Sequence, residues 1–294
     1  MDEAIEFPTP PDLSAIDFTD VTDIRNLIRQ RLHHMFGPQG DDYIDEYTKT
    51  TEDLFSGRVP AFQAMDTPYH DIRHTLQATL CLVELLSNRH ISNIKPRLSA
   101  HDFKRALVAV LFHDIGYLKT LDDTLGTGAK YTHLHEKRSC DFAAPLLAER
   151  GWAIDDIRFV ENLISCTGPG ADFSQIDFAS EIERVLGQVV CTADYIGQMS
   201  DPYYPDRLEV LFNEFEECYR YQQIPQSEWP FANYENLLRS TPDFWSFFVK
   251  PRLEKDCAGV YEYLEHPMTG ENPYMHAVKR NLATIRGQIA KLQK

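Results

Sequence analysis

The sequence predicts an all-α fold in the form of a single helical bundle. Apolar residues recur at three- and four-residue intervals through most of the chain, and capping residues, glycines or prolines bound these stretches. No segment shows the strong alternation of apolar and polar residues that is typical of a strand. At 294 residues, the chain is long enough to bury a sizeable core.

The predicted helices are separated mostly by short connections. They cover about residues 22–36, 42–55, 69–88, 102–115, 133–149, 155–166, 179–198, 208–219, 234–238 and 244–264. Residues 1–20 are acidic and contain prolines, so we expect a flexible tail followed by one domain over 21–294. Its motif core should span about 69–219, with C-terminal helices of 220–294 packing on it. The long loop from Tyr117 to Thr132 is expected to cover a site.

Composition excludes several classes of partner. The formal net charge of −16 disfavours polymeric nucleic acids and anionic membranes, which bind clustered Lys and Arg. No apolar run reaches membrane-spanning length, and the N-terminus lacks the pattern of a secretory signal. The six cysteines form no CxxC pair, and their apolar surroundings predict reduced thiols in the core. We therefore expect a cytoplasmic protein.

A His-Asp pair, His113-Asp114, follows the apolar run 106–112. A histidine there could be a core residue bonded to a carbonyl, but an ionised aspartate is rarely buried without a metal or a cationic partner. Gly116 is expected to end the helix in a left-handed conformation. A second dipeptide, His101-Asp102, shows that such a pair also arises by chance.

Two further positions can serve the same site. His70 and His74 are four residues apart on the predicted helix 69–88, so they should share one face on consecutive turns. Asp194 lies among apolar residues of the predicted helix 179–198, where a buried carboxylate would also need a cationic partner.

These residues occur in a fixed order that resembles a known family. The ordered set is Tyr69-His70-Asp71-Ile72-Arg73-His74, His113-Asp114, His135-Glu136, Thr167 and Thr192-Ala193-Asp194-Tyr195. Over about residues 69–219 it resembles the HD superfamily of metal-dependent phosphohydrolases, with a phosphodiesterase-like first motif. Two departures leave the substrate open. After the His-Asp pair the chain has Ile115-Gly116-Tyr117 where cyclic-nucleotide phosphodiesterases usually continue to another His and Pro, and it lacks the GYP signature. Separately, some HD branches, including HD-GYP proteins and di-iron oxygenases, place histidine ligands near Cys166-Thr167, where this chain has none.

The resemblance implies roles for individual residues. His74, His113, Asp114 and Asp194 would bind one divalent cation, and Asp114 could bridge to a second. The ligand types suit Zn, Fe, Mn, Co, Ni or Mg. His70 would be the general acid, as the first His of this motif is in phosphodiesterases, and Asp114 would join it in catalysis. The remaining candidates are His135 and Thr167 near a second metal, and Lys119 and Lys130 as contacts of the substrate phosphate.

The predicted function is hydrolysis of a nucleotide or another small phosphoester by a metal-activated water. Two alternatives belong to other classes: a non-catalytic HD-type module that binds a nucleotide as a sensor, and a di-iron oxygenase of the same fold. The absence of histidine at Cys166-Thr167 disfavours the oxygenase. The sequence leaves the oligomeric state open.

Overall fold

The computed structural model describes residues 8–38 and 40–292, which form one bundle of α-helices. The predicted all-α, single-domain fold is therefore confirmed. The helices in these residues are α1 (Val21–Phe36), α2 (Asp42–Phe55), α3 (Ile72–Ile91), α4 (Ala100–Phe112), α5 (His135–Glu149), α6 (Ile154–Ile164), α7 (Glu181–Ser200), α8 (Tyr204–Tyr221), α9 (Tyr234–Phe244), α10 (Lys250–Lys255) and α11 (Pro273–Lys291).

Short helical turns join several of these helices. Four are 3₁₀ segments, Ile115–Tyr117, Gly128–Tyr131, Gln226–Glu228 and Val260–Leu264, and Trp245–Val249 is a π-helix. The β-structure within the described ranges is one isolated bridge between Phe62 and Thr120. In that part of the chain, no helix combines the length and the apolar character needed to cross a bilayer.

The packed region begins before the predicted domain boundary at residue 21. Leu13 and Phe18 are buried in the hydrophobic core, and Arg31 donates a hydrogen bond of 2.8 Å to the backbone carbonyl of Thr9. The predicted tail therefore contributes apolar side chains that composition alone did not reveal. Residues 1–7 of that tail lie outside the described residues.

Helices α3, α4 and α7 form the centre of the bundle. Every residue of α3 from position 74 to 89 is buried, which is typical of a helix enclosed on all sides. Helix α7 approaches α3 so closely that a Cβ atom at Gly197 would lie 2.9 Å from the backbone of Ala78. The missing side chain lets these two helices pack backbone to backbone.

Two of the helix ends that differ from the prediction lie at the predicted site. Helix α3 starts at Ile72 because the carboxylate of Asp71 caps it by accepting the N–H of His74, so His70 precedes the helix. Helix α4 ends at Phe112, and Gly116 lies in a 3₁₀ turn without a positive φ. The predicted left-handed cap at Gly116 is therefore wrong. Glycine is needed there for space, since its Cβ would lie 1.9 Å from the carbonyl oxygen of His135.

The predicted helix 244–264 is divided into three short segments. The second of them, α10, starts at Lys250 directly after the π-helix and has Pro251 in its first turn. Gly259 adopts a left-handed φ of +72° and separates α10 from the last 3₁₀ turn. The C-terminal helix α11 follows and packs on α7, α8 and α9.

We predict that Gly197→Ala destabilises the protein by about 1–3 kcal/mol, because the new methyl group pushes α7 away from α3. Gly287→Ala is the matched control: it lies in α11 with nothing within 4 Å of its Cβ position, and it should gain up to about 1 kcal/mol of helix propensity. Urea unfolding of both variants measures the difference. Equal effects of the two substitutions would contradict the close α3–α7 contact.

Candidate metal centre

Three helices bring the four predicted metal ligands to one point. His74 lies in the first turn of α3, Asp194 lies on α7, and His113 and Asp114 directly follow α4. Nε2 of His74 lies 3.1 Å from Oδ2 of Asp114 and 3.2 Å from Oδ1 of Asp194. Nε2 of His113 lies 3.2 Å from the same Asp114 oxygen and 3.7 Å from the same Asp194 oxygen. We call these four residues the ligand cluster.

The ligand cluster fits a divalent cation. Zinc binds imidazole nitrogens and carboxylate oxygens at about 2.0–2.2 Å, so two ligands of one ion lie roughly 3.0–3.5 Å apart. Three of the four nitrogen–oxygen distances of the cluster have this spacing, and the fourth, from His113 to Asp194, is 3.7 Å. One ligand atom each of His74, His113 and Asp114 lie within 4.8 Å of one another. In addition, Oδ2 of Asp114 is buried and makes no hydrogen bond of regular geometry within the described residues, although two imidazole nitrogens lie 3.1 and 3.2 Å away, as expected for an oxygen whose partner is a cation.

Two of the three histidines beside Asp114, His113 and His135, each have one ring nitrogen fixed by the backbone. Nδ1 of His113 donates a hydrogen bond of 2.7 Å to the carbonyl of Val110, and Nδ1 of His135 donates one of 2.7 Å to the carbonyl of Thr132. A carbonyl can only accept, so these contacts place the hydrogen on Nδ1. They leave Nε2 of each neutral ring with a lone pair for a metal.

The members of the ligand cluster shift one another's pKa values. Burial lowers the pKa of His74, but hydrogen bonds to Asp114 and Asp194 outweigh burial and raise it to about 9. Burial is likewise outweighed at His113, whose pKa the charge of Asp114 raises well above its usual value. Burial raises the pKa of both carboxyl groups, yet the neighbouring imidazoles hold each one well below its usual range. A cation that binds here therefore displaces protons.

Helix α5 fixes the turn that carries the His-Asp pair. The hydroxyl of Ser139 accepts the N–H of Gly116 at 2.8 Å and donates to the carbonyl of His113 at 2.5 Å. The guanidinium of Arg138 donates to the carbonyls of Gly116 and Leu118, each at 2.7 Å. The position of Asp114 is thus set by backbone groups that α5 satisfies.

His135 lies beside the second carboxylate oxygen of Asp114. Its Nε2 is 3.6 Å from Oδ1 of Asp114, whereas Oδ2 faces the other two imidazoles. Thr167 is buried and lines the same cavity, but its hydroxyl donates to the carbonyl of Ile164 at 2.8 Å. Of these two predicted candidates, His135 therefore presents a nitrogen to Asp114, and Thr167 supports the wall of the cavity.

His70 lies at the edge of the ligand cluster and is oriented by a buried carboxylate. Its Nδ1 donates a hydrogen bond of 2.6 Å to Oε2 of Glu214, and Oε1 of Glu214 accepts the N–H of Tyr69 at 2.6 Å. The ring of Tyr117 stacks on His70, with centroids 4.6 Å apart, and on His135, with centroids 4.7 Å apart. Glu214 and Tyr117 were not predicted as site residues, although Tyr117 bounded the predicted loop.

Lys119 and Lys130 do not line the cavity, in contrast to the predicted contact with substrate phosphate. Nζ of Lys119 lies 2.7 Å from Oδ2 of Asp66 and donates to the carbonyl of Gly126 at 2.7 Å. Nζ of Lys130 pairs with the carboxylate of Asp123. Both side chains are buried, so we assign them to holding the loop in place.

A cavity of about 280 Å³ joins the ligand cluster to an apolar space. Its polar end contains His70, His135, Thr167 and three of the four cluster residues, all except His113. Its other end is bounded mainly by aliphatic and aromatic side chains of α8, α9 and the segment between them. Tyr117 and Thr132, the two end residues of the predicted covering loop, line the cavity together with the adjacent His133, and no described residue between 118 and 131 does, so the cover stays a prediction.

We predict that His113→Ala abolishes stoichiometric metal binding, because it removes one of two imidazoles in the ligand cluster. His101→Ala is the matched control: that histidine belongs to the other His-Asp dipeptide, is exposed, and pairs with Asp156 at 2.8 Å. Elemental analysis of both purified variants measures the outcome. Wild-type metal content in His113→Ala would show that the cluster is not the metal site.

We also predict that metal affinity rises with pH between about 6 and 8. Since the pKa of His74 is raised to about 9, the free imidazole becomes about tenfold more abundant with each pH unit in this range. Calorimetric titrations in two buffers of different ionisation enthalpy count the protons released. An affinity independent of pH, with no proton release, would contradict the protonated state of the metal-free cluster.

Comparison with known proteins identifies relatives of the fold. A family model described as Npun_R2479-like matches residues 21–166, which include His74, His113, Asp114 and His135 but not Asp194. No curated protein matches the chain.

Two solved structures share the fold over almost the whole chain. Both are of the phosphodiesterase domain of a rhodopsin phosphodiesterase from the choanoflagellate Salpingoeca rosetta. The first has a TM-score of 0.63 and 15% identity, and covers 99% of this chain and 98% of that one. The second has a TM-score of 0.61 and 16% identity, and covers 99% and 94%. These similarities show a phosphodiesterase-like helical fold, and the assignment to the HD superfamily stays a prediction from the motif residues.

Proposed function

We propose that the protein is a metal-dependent phosphohydrolase of the HD type that acts on a small phosphoester. The observation that carries this proposal is the convergence of two buried imidazoles and two carboxylates beside the His70–Glu214 pair in one cavity. The shared fold with two phosphodiesterase domains supports the same reaction class. The net charge of −16 favours a small substrate in the cytoplasm over a polymeric nucleic acid or a membrane surface.

The ligand cluster would hold one divalent cation through His74, His113, Asp114 and Asp194. The second oxygen of Asp114 and Nε2 of His135, 3.6 Å apart, would contribute to a second site. When bound, such a cation lowers the pKa of a coordinated water and polarises a phosphoryl oxygen. Phosphoryl transfer depends mainly on such charge neutralisation and on positioning, which suits a site without a covalent nucleophile.

His70 would protonate the leaving oxygen. Its Nδ1 is occupied by the carboxylate of Glu214, so Nε2 is the nitrogen that can hold a proton for the substrate. Glu214 is a positioning residue, because its two oxygens bind the ring of His70 and the backbone of Tyr69. Stacking on Tyr117 restricts the remaining rotation of the imidazole.

The proposal is tested by metal analysis combined with a substrate screen. The protein is loaded separately with Zn, Fe, Mn, Co, Ni or Mg and assayed on bis(4-nitrophenyl) phosphate, 4-nitrophenyl phosphate and cyclic and linear nucleotides. We expect hydrolysis with at least one metal and none by chelated protein or by Asp114→Ala. Tight nucleotide binding without hydrolysis under every condition would instead indicate a sensor module.

We predict that His70→Ala retains its metal but loses about 10²–10⁴-fold in kcat on an alkyl ester, whose leaving group needs a proton. The loss should be smaller for a 4-nitrophenyl ester, because 4-nitrophenolate leaves unprotonated. Glu214→Gln should show a smaller loss of the same pattern, since it weakens the orientation of His70 without removing the acid.

Metal content and the ratio of the two rates distinguish the roles of His70. Loss of metal in His70→Ala would make His70 a ligand. Full activity on the alkyl ester would leave it a packing residue. The exposed His101→Ala serves as the control for both measurements.

A further inference from the structure

Resting on the proposed function, we infer that the substrate of this site is an ester of a single phosphate with an apolar organic group. The inference comes from the far end of the cavity, which no metal or general acid explains. Two features carry it: the hydrocarbon side chains at that end, and the absence of Lys and Arg among the described residues that line the cavity.

Hydrocarbon side chains form the far end of the cavity. Leu208, Leu211 and Phe215 come from α8, Phe231 from the segment after it, and Leu237 and Phe244 from α9. An apolar wall of this kind favours a ligand group that is itself apolar, because each buried methylene adds binding free energy in proportion to its area. We call this region the apolar end.

The described residues that line the cavity include no Lys or Arg. Two arginines nearby are already paired, Arg73 with Asp201 at 2.9 Å and Arg207 with Asp71 at 3.0 Å. A di- or triphosphate would therefore reach no guanidinium or ammonium group for its additional charges. The imidazoles at the polar end, and a cation held by the ligand cluster, would provide positive charge for one phosphate group.

Two polar side chains that line the cavity already bond within the protein, whereas the hydroxyl of Tyr195, which also lines it, is buried without a hydrogen-bond partner among the described residues. The amide of Gln198 accepts the hydroxyl of Tyr69 at 3.0 Å and donates to the backbone carbonyl of Asp194 at 3.3 Å. The hydroxyl of Thr241 donates to the carbonyl of Leu237 at 2.8 Å. These two groups are therefore not free to replace the hydrogen bonds to water that a polar organic group would lose on binding.

A series of 4-nitrophenyl alkyl phosphates with methyl, propyl and hexyl groups tests this inference. All members share the phosphate and the leaving group, so differences in kcat/KM report on the alkyl group alone. With the metal-loaded protein we expect kcat/KM to rise about fourfold for each added methylene until the apolar end is filled. Hydrolysis of the methyl ester with no increase along the series would overturn the inference while leaving the proposed function intact.

Binding of alkylphosphonates, which are not hydrolysed, gives a readout that does not depend on activity. Hexylphosphonate should bind more tightly than methylphosphonate in calorimetry, with a more negative heat-capacity change. Phe244→Ala should reduce this hexyl-to-methyl preference about tenfold, because Phe244 lines the apolar end and is 37% exposed. Phe247→Ala is the matched control, since Phe247 lies three residues further on, is 79% exposed and does not line the cavity.

Three other results would overturn part or all of the inference. An equal preference in Phe244→Ala and wild type would mean that the alkyl group binds elsewhere, which overturns the placement. Hexyl diphosphate binding more than about tenfold more tightly than hexylphosphonate at saturating metal would overturn the single-phosphate part. If no ester is cleaved with any metal, the proposed function fails, and with it the inference about its substrate.

Discussion

The structure depends on the burial of two carboxylates next to two imidazoles. Moving each ion from water to the interior costs several kcal/mol, and only close partners of opposite charge offset that cost. Asp114 and Asp194 find such partners in His74 and His113, at 3.1–3.7 Å. These residues belong to, or directly follow, three different helices. The ligand cluster therefore forms only when α3, α4 and α7 have one relative position and one orientation about their axes. A divalent cation satisfies the same requirement more completely, since it replaces the protons that the imidazoles otherwise hold.

Two glycines in the surrounding helices and turns allow the close packing that the ligand cluster requires. Gly197 lets α7 approach the backbone of α3, and Gly116 lets α5 pack against the turn after the His-Asp pair. Ser139 then satisfies the backbone groups of that turn from α5. The same turn positions Tyr117, whose ring stacks on both flanking histidines. The site is therefore held by packed helices and a short 3₁₀ turn, and α8 and α9 supply the apolar end of its cavity.

The periodicity of apolar residues and the capping residues predict much of the fold, but the sequence predicts only part of the site. The spacing of apolar residues predicted most helices, and α2 has the predicted bounds 42–55. The four cluster residues could be named because their order resembles the HD motif and because buried acids such as Asp114 and Asp194 require partners. Glu214 could not be identified from the sequence, because α8 contains several glutamates and only burial in the folded protein distinguishes Glu214 from them. Lys119 and Lys130 were misassigned because a sequence shows the charge of a lysine but not the acid it pairs with. The tail boundary at residue 21 was misplaced because two isolated apolar side chains, Leu13 and Phe18, carry no periodicity.

The central claim, that these four side chains bind one divalent cation, is tested most directly by anomalous X-ray diffraction from crystals of the metal-loaded protein. The account predicts an anomalous peak bonded to Nε2 of His74 and His113 and to one carboxylate oxygen each of Asp114 and Asp194, at about 2.0–2.3 Å. A peak bound elsewhere, or a fully loaded crystal with no peak between these four side chains, would contradict it.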